Sequence, residues 1–567
     1  MRILLLCHSF NSLTQRVFVA LDERGHEVSV EYDINDANTA EAVLRFQPDL
    51  IVAPFLKRKI PASVWSVVPC FIVHPGVVGD RGPSALDWAV MEGRDTWGVT
   101  VLQANEEFDA GTVWASRQFT MRAARKASIY RSEVTRHAVD AIVEAVGRYQ
   151  SGQSAPPQQL VDPDLGWRPL IRQSDRHIDW QCDDTETVLR KIRSADGFPG
   201  VSCELGGRQV RVFDAREAPG HQGAPGRLLA MSGPAVLVGT RDNALWIGHA
   251  LDRASTHRFK LPASLVLSHA CEQLPRIPPD SRDGYTEIRT QIRDEVVYLH
   301  FDFYNGAMSA GQCARLLSAF ICARETKPKV IVLAGGSDFW SNGMHLNLIE
   351  ASDQPADASW ANINAINDLS HEIITTTECL TVAALHGNAG AGGVFLARAA
   401  DQVWAHADTV LNPHYKDMGN LYGSEYWTYL LPRSCGKERA QRVIDARLPI
   451  GVRDALSLGL VDDMIADSRS EFPAAMLQYA QTLATSDTFN DLLDRKHAVR
   501  LADEARKPLA DYRREELERM RENFYGFDPS YHIARYNFVH KVPRSHTPLT
   551  LARHRSIASR EDSRQAS

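Results

Sequence analysis

No run in this 567-residue chain approaches the roughly 20 uninterrupted apolar residues a membrane-spanning helix needs, so no membrane span is expected. Paired cysteines are missing as well. The nine at positions 7, 70, 182, 203, 271, 313, 322, 379 and 435 are scattered, and none forms a CxxC pair. That spacing offers neither a disulfide framework nor a zinc site, and it suits a reducing cytoplasm. Positive charge is not in excess: 63 Lys and Arg stand against 70 Asp and Glu, for a formal net charge of −7. Proteins that grip a nucleic-acid backbone usually carry a basic surplus. No nucleic-acid partner is therefore expected, and small-molecule substrates are. Repeats of solenoid length are absent. The opening MRILLLCHSF is apolar but short, meets His8, Ser9 and Asn11 at once, and has no small-residue cleavage site. It reads as a buried first strand, not a signal peptide, and a cytoplasmic location is expected.

What is present is ordinary for a globular chain, with 44% apolar and 23% charged residues. At this length one hydrophobic core does not suffice, and two to four domains are expected. Apolar runs at Arg2–Cys7, His26–Glu31, Asp49–Ala53 and Cys70–His74 read as strands, with helix-like spacing at Leu13–Arg24 and Ala37–Phe46. Such alternation predicts a parallel sheet covered on both faces, with ligands beyond the carboxyl ends of its strands. A linker-like QSGQSAPPQQ occupies Gln150–Gln159, and short strand-like runs follow at Ile178–Arg211 and Arg227–Leu251. A second break falls at Arg276–Arg282, and a new α/β pattern starts at Asp294 with strands Val296–Phe301 and Val330–Leu333. The expected division is 1–160, 161–275, 285–485 and a helical extension over 486–567, whose last fifteen or so residues read as disordered.

Two motifs carry chemistry in the first half. CFIVHPGVVGDRGPSALDWAV, Cys70–Val90, places His74 directly after an apolar strand that Pro75 and Gly76 end. About 35 residues on, GVTVLQANEEFDAGTVWA, Gly98–Ala115, holds Asp109 in an FDAG turn. A histidine and a carboxylate brought together make a general acid/base whose tautomer the carboxylate sets. By spacing alone a strand-terminal histidine serves more often in structural hydrogen bonding. Together the motifs resemble the 10-formyltetrahydrofolate-dependent formyltransferases. The resemblance makes His74 the catalytic histidine and Asp109 the catalytic aspartate, and places the family's asparagine on Ile72, which donates no hydrogen bond. Downstream, Ile178–Val201 resembles the β-domain attached to methionyl-tRNA formyltransferases. Arg208, Arg211 and Arg216 are too few to make that domain a tRNA surface.

In the second half VIVLAGGSDFWSNGMHL, Val330–Leu346, is a strand, a glycine turn and Ser-Asn-Gly. LTVAALHGNAGAGGVFLARAAD, Leu380–Asp401, is a strand followed by a glycine-rich helix start, where unpaired amides attract negative charge. Close packing alone also explains a glycine run. In this order, and with Arg439–Ile465 ending in a GLVD turn, the motifs resemble the crotonase (enoyl-CoA hydratase/isomerase) superfamily. That resemblance implies an oxyanion hole from the amides of Met344 and Gly392. Phe395 stands where hydratases have one catalytic glutamate, and the second falls near His414 or Tyr415, so water addition is not expected. Instead, Asn412–Arg433 is dense in tyrosine and contains Tyr415 and Glu425, candidates for proton transfer or, for the tyrosines, for helix packing.

The fusion, with its PHYKDMGNLYGSEYW run, resembles the HypX/HoxX family of nickel–iron hydrogenase maturation proteins. The fold class implied is α/β: a Rossmann-like formyltransferase domain, a small β-rich domain, and a crotonase-fold ββα domain with a helical C-terminal extension. The resemblance further implies formyl transfer from 10-formyltetrahydrofolate to coenzyme A and splitting of formyl-CoA into carbon monoxide and CoA. A hydrogenase large subunit or other maturation proteins are the implied partners. Release of formate by a formyl-CoA hydrolase, or a non-catalytic assembly role, are the alternatives. Because coenzyme A carries phosphates, arginines are expected along its path. Arg131, Arg447 and Arg544 are candidates, with solvated surface charge as the other reading.

Overall fold

The computed structural model describes residues 1–157 and 165–556, so Gln158 and Gln159 of the expected linker lie outside the described residues. The chain forms two compact units. One comprises Met1–Thr256, Pro262–Arg276 and residues 543–556; the other comprises His257–Leu261 and Ile277–Val542.

The first unit is built on strands β1 Arg2–Cys7, β2 Glu27–Tyr32, β3 Leu50–Phe55, β4 Cys70–His74, β5 Thr96–Gln103 and β6 Val113–Thr120. They lie in the order β2-β1-β3-β4-β5-β6. The first four are parallel, as the alternation of apolar runs and amphipathic helices predicts; β5 and β6 run antiparallel. The four strands expected from the sequence are thus parallel to one another, and β5 alone is reversed, since β6 pairs antiparallel with it and so points the same way as β1–β4. β5 and β6 are joined by a loop of nine residues, 104–112, too short for a crossover helix. That loop contains the FDAG turn. Burial is continuous along β1 and β3, whose central side chains are inaccessible to solvent, as both-face coverage requires.

A second, antiparallel sheet in this unit has Val201–Leu205 and Arg208–Glu217 leading to Ala244–Asp252, Ala235–Gly239 and Leu228–Ser232. Helix Thr185–Ala195, inside a region that reads as strand-like, lays Val188, Leu189 and Ile192 on that sheet. Its spacing of apolar residues at i, i+1 and i+4 is helical, and Asp184 caps it through the Thr187 amide.

Residues 543–556 return to this unit. Leu551 O accepts from Val30 N at 3.0 Å and Thr547 Oγ1 accepts from Tyr32 N at 2.8 Å, so the outer edge of β2 is covered. Glu31, 1% exposed, accepts from Thr547 Oγ1 at 2.8 Å and Arg555 Nε at 2.9 Å, and its Oε2 lies 3.0 Å from His554 Nε2. The expectation of disorder thus fails for residues 553–556, because the buried Glu31 needs their donors; 557–567 lie outside the described residues.

The second unit holds a six-stranded sheet in the order Ile288–Arg293, Val296–Phe301, Val330–Gly335, Leu380–Leu385, Gln402–His406, Asp463–Ala466. Only the first pair is antiparallel. A smaller sheet of Phe339–Ser341, Asn388–Gly390, Val410–Asn412 and Ile450–Gly451 accompanies it. This is the expected mixed α/β architecture. Helices Phe489–Arg506, Leu509–Tyr525 and Ser530–Val539 continue in the same unit, and Leu509, Met520, Phe524 and Tyr531 belong to its main core. They are not a solvent-exposed appendage.

Candidate functional sites

In the first unit β4 ends at His74, 4% exposed, and the chain folds back over the imidazole. Gly76 permits this: a Cβ there would collide with His74 Nε2 and Asp80 Oδ2. The ring lies between two carboxylates. Nε2 is 2.8 Å from Asp80 Oδ2, and Nδ1 is 3.5 Å from Asp109 Oδ2. Asp109 adopts φ 52° in its turn and accepts from Gly82 N at 3.1 Å. Asp80 is fully buried and also receives Arg168 Nη2 at 3.3 Å. His74 and Asp109, read from the sequence, are brought together. Asp80 was not singled out, although a carboxylate six residues after the histidine, between Gly79 and Gly82, was the signal. Ile72 packs against the cluster containing Leu4, Ile51 and Cys70 and supplies no donor. An imidazole held from both sides is oriented for proton transfer at the strand end, where open α/β sheets bind ligands.

The candidate arginines divide between the units. Arg131 lies in a π-helical turn, Tyr130–Val134, whose Tyr130 hydroxyl accepts from Asn11 Nδ2 at 3.3 Å just beyond β1. Such turns are frequent at functional sites. Arg544 places its guanidinium 5.6 Å over the Tyr32 ring. Arg447, in the second unit, caps helix Lys437–Ala446 with φ 53° and donates to Asn420 Oδ1 at 3.2 Å.

In the second unit the two candidate amides converge. A Cβ on Gly343 would lie 3.6 Å from the nitrogen of Gly392. The strand leading to Met344 is clamped by Asn362, which donates to Met308 O at 2.9 Å and accepts from His345 N at 3.1 Å. Among the described residues neither Met344 N nor Gly392 N has an acceptor within the chain. Two free, fixed N–H groups suit a carbonyl oxygen.

Glu425 packs directly on this pair, since a Cβ on Gly392 would overlap its Oε1. Its carboxylate is 1% exposed and accepts the Tyr415 hydroxyl at 2.7 Å and Ser424 N at 3.3 Å. Burial pushes the Glu425 carboxyl up to about 7. Tyr415 is raised well above its ordinary value, first by burial and then by the charge of Glu425. Phe395 stacks on Tyr415 with ring centroids 5.5 Å apart, and Trp427 adds a further wall. The side chain at the hydratase glutamate position is thus a cover for the Tyr415–Glu425 pair. The packing alternative for tyrosine does apply to Tyr429, which bonds Asp503 Oδ2 at 2.9 Å.

Glu425 and Tyr426 both occupy the left-handed region, φ 61° and 59°. For residues other than glycine this costs about 1–3 kcal/mol each and persists only where the surroundings impose it. Asn367 Oδ1 takes Glu425 N at 2.8 Å. Glu516, 0% exposed, takes Tyr426 N at 2.9 Å and Thr428 N at 2.9 Å. Burial raises the Glu516 carboxyl to about 8, with Glu425 adding to the rise. Neither Asn367 nor Glu516 is marked by any local motif. His414, by contrast, has a buried Nδ1 with no hydrogen-bond partner among the described residues.

Three family models match the chain: "Formyl transferase" over residues 14–146, "Formyl transferase, C-terminal domain" over 170–257, and "Enoyl-CoA hydratase/isomerase" over 293–532. A methionyl-tRNA formyltransferase from Syntrophus aciditrophicus is 25% identical over 202 residues, 34% of this chain and 64% of its own length. The crystal structure of HypX from Aquifex aeolicus in complex with tetrahydrofolic acid superposes with a TM-score of 0.94 at 47% identity, covering 98% of this chain and 99% of the other. The hydrogenase maturation factor HoxX of Bradyrhizobium diazoefficiens is 55% identical over 556 residues, 98% of this chain and 97% of that protein. With both modules matched in order and likeness extending over nearly its whole length, the chain belongs to the HypX/HoxX family of hydrogenase maturation factors.

Proposed function

We propose that the first unit transfers the formyl group of 10-formyltetrahydrofolate to coenzyme A, and that the second splits formyl-CoA into carbon monoxide and free CoA for the active-site iron of a hydrogenase. The observation that carries this reading is the Tyr415–Glu425 pair seated on Gly392, beside two amides free to hold a thioester carbonyl. Folate as donor is supported by the tetrahydrofolate complex of the Aquifex aeolicus relative.

In the transfer step the CoA sulfur attacks the formyl carbon, the C–N bond to the folate breaks, and the departing nitrogen takes a proton. His74, oriented by Asp80 and Asp109, is the group that moves it. Arg131 and Arg544 are the cationic partners assigned to CoA phosphates within the first unit, and Arg447 is assigned that role within the second.

In the second step the amides of Met344 and Gly392 hold the formyl oxygen and draw electron density from the carbon. Glu425 removes the formyl proton. The C–H electron pair stays on carbon as the C–S bond breaks, which yields carbon monoxide and a thiolate. Tyr415 then passes its proton to sulfur and takes the one held by Glu425. Its 2.7 Å hydrogen bond makes this a relay. A free tyrosinate would be very costly where burial raises the phenol so far. The Phe395 and Trp427 walls disfavour the competing route, in which water converts formyl-CoA to formate.

The test supplies chemically prepared formyl-CoA to the purified chain and captures gas with reduced haemoglobin. Stoichiometric carbon monoxide and CoA, formed about 10²–10⁴-fold more slowly by Glu425→Gln, is the expected result. Formate in place of carbon monoxide would make the second unit a hydrolase.

A further inference from the structure

Glu425 and Tyr426 are consecutive left-handed residues, and each has its amide taken by a buried side chain from a different helix. Asn367 comes from Pro355–Thr375 and Glu516 from Leu509–Tyr525. Ser424 joins the two: its hydroxyl accepts from Asn367 Nδ2 at 2.8 Å and lies 3.3 Å from Glu516 Oε2. Each Glu516 oxygen serves two donors, Thr428 N and Oγ1 on Oε1, and Tyr426 N and Ser424 Oγ on Oε2. All three residues are at most 1% exposed. A buried carboxylate satisfied only by donors from residues 424–428 holds that backbone in place. The turn it holds sets where the Glu425 carboxyl points.

We infer that Asn367 and Glu516 are positioning residues for formyl-CoA cleavage, which hold the Glu425–Tyr426 backbone in its left-handed turn and so keep the Glu425 carboxyl against Gly392. The inference rests on the decarbonylation reading of this site and deepens it. Asn367 and Glu516 act through Glu425 alone and touch no reacting atom. Losing either loosens the carboxyl without altering thioester binding, so kcat falls and KM stays. Glu516→Gln, assayed above pH 8 where Glu516 is ionised, replaces one acceptor oxygen with a donor that faces donors, and it leaves size unchanged. Ser424→Ala removes only the hydroxyl that joins the two posts.

The experiment measures carbon monoxide release from formyl-CoA by the full chain and by Asn367→Ala, Glu516→Gln and Ser424→Ala, each alone and combined with Glu425→Gln. Thermal melts report folding. Expected are kcat losses of about 10- to 100-fold for Asn367→Ala and Glu516→Gln, and about 3- to 10-fold for Ser424→Ala, with KM within about twofold. In the Glu425→Gln background none of the three lowers the residual rate further, because they share one route of action. Unchanged kcat in folded Ser424→Ala and Glu516→Gln, or full multiplicative losses in the Glu425→Gln background, would overturn the inference while leaving the decarbonylation reading intact. Absence of carbon monoxide from the unaltered chain overturns that reading and the inference with it.

Discussion

A methyl group on Gly392 would collide with Oε1 of Glu425, so this glycine and the buried carboxylate are mutually fitted. Gly392→Ala is expected to displace Glu425 and cut carbon monoxide release from formyl-CoA by about 10²–10³-fold, the scale of losing one oriented group. Formyl transfer by the first unit is the control and should be unaffected. Comparing the two rates in one preparation makes the check.

The second expectation concerns pH. With its carboxyl raised to about 7 by burial, Glu425 can take the formyl proton in the proposed cleavage only when ionised, so carbon monoxide release should rise with pH through about 7. Stability runs the other way. A carboxyl whose folded pKa exceeds its unfolded value favours the folded state in its protonated form. That contribution is present below the unfolded pKa near 4.5 and is lost as pH rises to about 7. Glu425→Gln should therefore gain stability relative to the parent between pH 4 and pH 8, by at most about 3 kcal/mol. Denaturant melts at both pH values would show it, and a larger relative gain at pH 4 would contradict it.

For the first unit, His74→Ala and Asp109→Asn should lower formyl transfer from 10-formyltetrahydrofolate by about 10²–10⁴-fold. Asp80→Asn keeps the side-chain shape but gives up the charged contact with Nε2, and a loss of about 10- to 100-fold is expected. Cleavage of supplied formyl-CoA should be unchanged in all three. A concurrent loss of that activity would show misfolding, or a shared site, in place of a specific role.

The C-terminal segment offers a stability test. Ending the chain at Pro543 strips Glu31 of Thr547, His554 and Arg555 and uncovers the edge of β2. A buried carboxylate deprived of its partners costs about 3–5 kcal/mol. The first unit should melt correspondingly earlier in the truncated chain, and adding Glu31→Gln to that truncated chain should recover part of the difference.

Strands β1 and β4 were legible because each is an apolar run in local sequence, whereas the pairing of His74 with Asp109 came from the formyltransferase resemblance of the two motifs together. Tyr415 and Glu425 were legible because they lie ten residues apart in one aromatic segment. Asn367 and Glu516 were not. Their bonds to Glu425 and Tyr426 span 58 and 90 residues, and a buried Asn or Glu on a helix looks in sequence like any polar surface position. The reversed direction of β5 was not legible, because its connection from β4, residues 75–95, carries a helix just as a parallel crossover does. The end of the chain read as disordered because its charged residues reveal their purpose only beside the buried Glu31.

The most direct measurement follows a labelled formyl group from 10-formyltetrahydrofolate in the presence of coenzyme A and the purified chain. Label recovered as carbon monoxide, at a rate sharply lowered by His74→Ala and separately by Glu425→Gln, with formyl-CoA accumulating only in the second, is the expected result. Label recovered as formate, or retained on the folate by a demonstrably folded chain, would contradict it.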